Sequence, residues 1–120
     1  MRRVSDAMLA PPVVIDPATT VQDAAARMLD ARAEVAVIVD AGRVWGLATA
    51  EHVAGALAEG YDASETLIGV VALRDPPVAR ADEPLVDAHQ RMRAEGCSVV
   101  PVIGSGRAPV GVLVDHEAGV

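Results

Sequence analysis

The sequence contains no phenylalanine, and Trp45 and Tyr61 are its only aromatic residues apart from histidine. It therefore lacks the rings for a platform that stacks single-stranded nucleic acid. Lysine is missing as well: all ten basic residues are arginine, against 17 acidic ones, for a formal net charge of −7. Such a chain repels a phosphate backbone, because nucleic-acid binding draws on a basic surface that releases counterions. With one cysteine, Cys97, no intrachain disulfide is available. Neither end pairs a charged start with an apolar stretch of signal-peptide length, and the apolar runs break well short of a bilayer span. Cytoplasmic location with no membrane contact is the expectation.

What is present is a 120-residue chain, 52% hydrophobic with mean hydropathy +0.32, enough to bury one core made of Ala, Val, Leu and Ile. It repeats internally. A shift of 64 positions pairs Pro12 with Pro76, Val14 with Val78, Asp23 with Asp87, Ala24 with Ala88, Arg27 with Arg91 and Met28 with Met92. Val35 then meets Val99, and one extra residue near Ala108 aligns Gly46 with Gly111. Repeat one runs over about residues 4–62 and repeat two over about 66–120, within one module spanning 1–120.

Thr20 followed by Asp23 satisfies an N-cap pattern, and Val21, Ala24, Ala25, Met28 and Leu29 recur at helical spacing, predicting a helix over residues 21–32. The β-branched run from Val35 to Val39, the turn Asp40-Ala41-Gly42 and the run from Arg43 to Ala48 predict a hairpin. A helix over residues 50–59 follows, with Val53, Ala54 and Leu57 on one face and Gly60 at its end. The second copy predicts a helix over residues 85–95 stopped by Gly96, then strands over 98–103 and 109–114, and lacks its closing helix. The segment from Val4 to Leu9 is the nearest candidate to cover the face left open, Asp62 to Glu65 is a polar connector, and Arg74-Asp75-Pro76-Pro77 reads as a rigid extended approach to repeat two. Short strands alternating with helices give an α/β layered fold whose copies pack about a pseudo-two-fold axis.

These residues resemble a tandem pair of cystathionine-β-synthase-type (CBS) repeats, a Bateman module: an opening Val4-Ser5-Asp6-Ala7-Met8, an extended Pro12-Val13-Val14-Ile15, a Thr-Val-x-Asp-Ala-Ala-x-x-Met helix, a valine-rich strand, and Gly-x-x-Thr before a helix. The resemblance covers the chain from end to end. It implies repeats of β-α-β-β-α type, assembly into homodimers, and adenine nucleotide binding in the clefts between repeats.

In nucleotide-binding relatives the strand-to-helix junction reads Gly, two residues, Thr or Ser, two residues, Asp. A hydroxyl and free N–H groups at a helix start favour phosphate, and a carboxylate one turn on accepts from the ribose hydroxyls. Copy one reads Gly46-Leu47-Ala48-Thr49-Ala50-Glu51-His52, keeping the hydroxyl but placing His52 where aspartate is expected. Copy two reads Gly111-Val112-Leu113-Val114-Asp115-His116-Glu117, keeping a carboxylate but replacing the hydroxyl by Val114. The resemblance nominates Thr49, Glu51, His52 and Glu117 for the ligand's polar groups. Val14, Val35 and Val37 in copy one, with Val78, Val99 and Pro101 in copy two, would line the base pockets. Arg3, Arg43, Arg74, Arg80 and Arg107 are the candidate phosphate cations.

Each has an ordinary structural alternative: Thr49 as a helix N-cap, Glu51 and Glu117 as first-turn acids facing the positive end of a helix. His89 reads as a partly buried structural histidine, Cys97 as a small core residue, and Trp45 as core or interface filling. No metal site is expected, since no His-x-x-x-His or Cys-x-x-Cys spacing occurs. No catalytic residue is expected either, since no nucleophile sits in a recognisable motif with a base. The reading is a non-catalytic regulatory module that senses an adenosine-containing ligand of the AMP, ADP or ATP class, requires no cofactor, and acts on an unknown protein partner. The alternative is a ligand-free dimerisation or docking module with degenerate sites.

Overall fold

The computed structural model describes residues 1–115. In chain order its elements are α1 (Val4–Ala7), β1 (Val13–Ile15), α2 (Val21–Asp30), β2 (Val35–Asp40), β3 (Arg43–Thr49), α3 (Ala50–Ala58), α4 (Ile68–Val71), β4 (Leu73–Arg74), β5 (Ala79–Arg80), α5 (Leu85–Glu95), β6 (Val99–Ile103) and β7 (Pro109–Val114). The fold is α/β, with two sheets ordered β1-β2-β3-β4 and β5-β6-β7. In each, the first strand runs parallel to the second and the hairpin closes antiparallel. Among the described residues no helix follows β7. His116 and Glu117 lie outside the described residues.

Local chemistry places most of these boundaries. The Thr20 hydroxyl accepts from the Asp23 N–H at 3.1 Å and starts α2. That helix ends at Asp30, two residues before the sequence-based bound, because Arg32 turns into the left-handed region at φ +53. Helix α5 stops on Gly96 at φ +69, the equivalent position one repeat later, where the missing Cβ removes the strain. Helix α3 is rotated relative to expectation: Ala56 is buried and Val53 half-buried, while Ala54 is exposed and Leu57 keeps 51% of its surface.

The chain divides into two compact units, residues 13–76 and residues 1–12 together with 77–120. These cut the chain elsewhere than the repeat boundaries do, because each unit is completed by the opening segment of the other repeat. Val4 is fully buried among Ala88, Met92, Val100 and Leu113, and burying such a side chain contributes about 1.5–3 kcal/mol. Its counterpart Ile68 is fully buried among Val21, Met28 and Ile38. The Leu9 N–H donates to the Val112 carbonyl at 2.8 Å and the Val112 N–H returns the bond at 3.0 Å, as β4 pairs with β3 through Leu73 and Leu47. The segment from Val4 to Leu9 thus packs on the second repeat in the place that Ile68 to Leu73 hold on the first, and not in that of α3, the position it was expected to fill.

Gly46 and Gly111 permit these crossings. A Cβ on Gly46 would lie 2.8 Å from the Leu73 carbonyl oxygen, and one on Gly111 would lie 2.8 Å from that of Leu9. The approach to repeat two is not uniformly extended as predicted: Leu73 and Arg74 form β4, and Asp75 sits at φ +52. The segment from Asp62 to Glu65 is more than a connector, since the Ala63 carbonyl accepts from the Gln22 N–H at 3.0 Å, at the start of α2.

Candidate functional site

The first junction is built where β3 hands over to α3. Thr49 is extended at φ −116, ψ 165 and caps the helix. Its hydroxyl oxygen accepts from the His52 N–H at 3.2 Å, and His52 Nδ1 accepts from the Thr49 N–H at 3.1 Å. This reciprocal capping box puts an imidazole where a glutamate or glutamine side chain normally closes the ring. Thr49 Oγ1 also lies 3.2 Å from His52 Nδ1, so both groups are engaged within the protein. Glu51 is exposed in the first turn of α3, where a carboxylate suits the helix dipole.

Strand register gathers the predicted wall of copy one. Val14 pairs with Val37 across the parallel β1–β2 ladder, and Val35 pairs with Thr49 across the hairpin. Side chains alternate along a strand, so Val14, Val35, Val37 and Thr49 share the sheet face opposite Ala36 and Ile38, which enter the helix-covered core. Val14 keeps 36% of its surface, Val35 is half-buried and Val37 is wholly buried. In copy two Val99 pairs with Val114 and Pro101 with Val112, again opposite core residues Val100 and Val102. Val78 precedes β5 and falls on the Pro101 face by the same alternation, with Val78 and Val99 half-buried and Pro101 buried.

The second junction has a different chemistry. Asp115 takes the place of Ala50, and its N–H donates to the Ser98 carbonyl at 2.8 Å as that of Ala50 donates to Glu34 at 2.9 Å. Its side chain is 5% exposed and accepts from Arg93 Nε at 3.0 Å. Nothing in the spacing of Arg93 and Asp115 announces this pair. A further fork, in which Arg91 donates to both carboxylate oxygens of Glu83, is equally unannounced by spacing. The Arg91 hydrogen bond holds the Glu83 carboxyl below its ordinary range, and the Glu83 carboxylate in turn raises Arg91.

The candidate phosphate cations are scattered. Arg74 lies over the Trp45 ring at 4.2 Å from its centroid, Arg3 donates to the Asp82 carbonyl at 2.6 Å, and Arg80 approaches Asp82 at 3.8 Å. Arg43 and Arg107 are exposed on the hairpins. Trp45 is half-buried against the core of the first unit. Cys97 packs against the other core, and burial pushes its thiol up, with Glu95 adding to the shift. His89 is half-buried on α5. Among the described residues no three His, Cys, Asp or Glu side chains gather to hold a metal ion, and no helix is long and apolar enough to cross a membrane.

Two α/β repeats, each closing a parallel strand and a hairpin with the opening segment of the other, define a paired-repeat module whose strand-to-helix junctions are its most individual feature. The CBS domain pattern matches residues 4–59 and again residues 68–117, and the chain belongs to the CBS domain family. It is similar to the CBS domain pair of protein MJ0100, in complex with 5′-methylthioadenosine and S-adenosyl-L-methionine, at 26% identity and TM-score 0.82, covering 94% of this chain and 89% of that one. CBS domain protein PAE2072 from Pyrobaculum aerophilum, complexed with AMP, shares the fold at 22% identity and TM-score 0.84, over 94% and 87% of the two chains. Hypoxic Response Protein I, with two coordinated zinc ions, shares it at 24% identity and TM-score 0.75, over 94% and 92%. No curated protein sequence matches the chain.

Proposed function

We propose that the chain, with its repeats at about residues 4–62 and 66–120, is a non-catalytic regulatory module of the cytoplasm that binds an adenosine-containing ligand and acts as a homodimer on a protein partner. The observation that carries the reading is the shared sheet face of Val14 and Val35, beside the wholly buried Val37, with Thr49 at its edge: an apolar strip for a base, ending at a helix start suited to phosphate. The MJ0100 pair, at 26% identity, is held with two adenosine derivatives, which supports the ligand class. Glu117 supplies the carboxylate for a ribose in copy two, and Val78, Val99 and Pro101 the apolar strip there.

A second reading, ligand-free docking with the junctions kept as fold elements, is favoured by one observation. The Thr49 hydroxyl and His52 imidazole already satisfy each other. Thermal-shift titration with AMP, ADP, ATP, S-adenosylmethionine and zinc decides between the two. A ligand at a hundred times its dissociation constant adds about 2.7 kcal/mol of stability. A saturable rise with one adenosine compound, reduced in Glu117→Ala or Thr49→Ala, is the expected result. A flat response to every nucleotide sinks the sensor reading and leaves the docking one.

A further inference from the structure

While the capping box at the start of α3 is closed, the proton of the neutral His52 ring has one place to be. A backbone N–H can only donate, so the 3.1 Å contact from the Thr49 N–H makes His52 Nδ1 an acceptor, and the ring carries its hydrogen on Nε2. The Thr49 hydroxyl stands 3.2 Å from the same nitrogen and accepts from the His52 N–H at 3.2 Å, while the Ala50 N–H is taken by the Glu34 carbonyl. The groups that a phosphate would use at this junction are therefore turned inward. Glutamine closes such a box as well and stays neutral at every pH. Histidine is the side chain that gains charge as pH falls from about 8 to about 5.

A proton added at Nδ1 sets two donors against each other, and the box cannot hold. The imidazolium turns out, and the Thr49 N–H and hydroxyl are released together beside a new positive charge. His52 borders a hollow of about 320 Å³ with Glu51, Glu59 and Tyr61, to which α4 adds only the uncharged Val70 and Val71. Among the described residues no arginine borders it, and α2, the other helix packed on α3, contributes nothing to it. Two carboxylates beside a neutral ring disfavour an anion; beside an imidazolium their charge is partly offset.

We propose that the first junction is a proton-gated phosphate site: neutral His52 holds it shut, and a phosphate-bearing adenosine ligand binds with uptake of one proton from solvent onto His52 as the box opens. The inference rests on the nucleotide reading above and gives that site its regulation by pH. It also accounts for the mutual satisfaction of Thr49 and His52, which is then the closed state of the site. Because binding takes up a proton, acid must strengthen it by the same coupling through which the ligand strengthens protonation.

The test is isothermal titration of the full chain with AMP at pH 8 and pH 6, and at pH 7 in two buffers of different ionisation heat, for wild type and His52→Gln. The buffer pair should report net proton uptake by wild type, since the phosphate itself, bound as its dianion, can only release protons. From pH 8 to pH 6 wild type should gain about tenfold in affinity relative to the variant, the effect of shifting one group by about one pKa unit. Glutamine keeps the box, so the variant should melt within about 4 °C of wild type, the shift expected for about 1 kcal/mol. Adenosine, which brings no phosphate, should bind without proton uptake. Equal pH profiles for the two proteins, or wild-type AMP binding without proton uptake, overturn the gate and leave the nucleotide reading standing. No AMP binding to either protein at any pH overturns both.

Discussion

Alanine at Gly46 or Gly111 tests whether the glycine of each junction serves the fold. The new Cβ would stand 2.8 Å from a backbone carbonyl oxygen, of Leu73 or Leu9 respectively, and at Gly111 also 2.7 Å from Met8 Sδ. Methionine can turn aside; a carbonyl in a ladder cannot without moving its strand. Relief means separating the Leu9–Val112 pair, whose two hydrogen bonds contribute about 0.5–1.5 kcal/mol each. It also loosens Val4, whose burial contributes about 1.5–3 kcal/mol. Partial retention of both sets the expected loss at about 2–4 kcal/mol for Gly111→Ala, and a similar loss for Gly46→Ala, which disturbs β4 and Ile68. Gly55→Ala is the control: nothing lies within 4 Å and the position is helical, so it should gain about 0.5–1 kcal/mol. Urea unfolding of the three variants reads these values directly, with a melting shift of about 4 °C per kcal/mol for a chain of this size. If Gly111→Ala and Gly46→Ala both stay within about 0.5 kcal/mol of wild type, a figure typical of neutral surface changes, the close-approach argument fails.

Arg32→Gly should stabilise by about 1 kcal/mol, because Arg32 holds the left-handed conformation that Gly96 takes in the second copy; a loss in denaturant unfolding would contradict it. Thr49→Ala removes the acceptor for the His52 N–H and should cost about 1 kcal/mol without any ligand present, whereas Thr49→Ser should retain most of it. Glu83→Gln should cost about 1 kcal/mol at neutral pH, modest because Arg91 is half exposed. The folded pKa of Glu83 is depressed, so its contribution is complete above the unfolded carboxylate value near 4.3 and disappears as pH falls through the lower folded one. The gap between wild type and variant should therefore narrow as pH falls below the unfolded carboxylate value, and a gap that widens in acid would refute the assignment.

Strand and helix positions were legible where one residue type dictates the backbone. The β-branched run from Val35, the turn at Gly42 and the stop at Gly96 all fall where the pattern put them. The exchange of opening segments was only half legible. The shift of 64 also pairs Val4 with Ile68 and Leu9 with Leu73, but a match of aliphatic side chains alone carries little weight, and α4 and β4 have no other signal in the sequence. Arg32 stops α2 without a glycine, so its left-handed turn had no signal. At the site, the resemblance nominated Val14, Val35 and Val37, and the strand register is what brings them to one face. The capping role of His52 was not legible, since the box is recognised by Glu or Gln at that position. The Arg93–Asp115 pair depends on where β7 ends relative to α5, which no local pattern encodes.

That pair makes the two junctions unequal for a phosphate-bearing ligand. At the first, Thr49 stands at the start of α3, a nine-residue helix whose dipole favours an anion. At the second, Val114 offers no hydroxyl, and the next residue, Asp115, holds a buried carboxylate whose charge Arg93 stabilises. A phosphate placed there finds no hydroxyl and stands near a carboxylate whose charge Arg93 offsets only in part, a residual repulsion that the first junction lacks. Binding through phosphate should therefore saturate at one ligand per chain, at the first junction, and weaken in Thr49→Ala. Nucleosides without phosphate are spared the repulsion and should reach both copies. Isothermal titration of AMP against adenosine separates the cases: two equal AMP sites per chain would show that Asp115 does not govern the second junction.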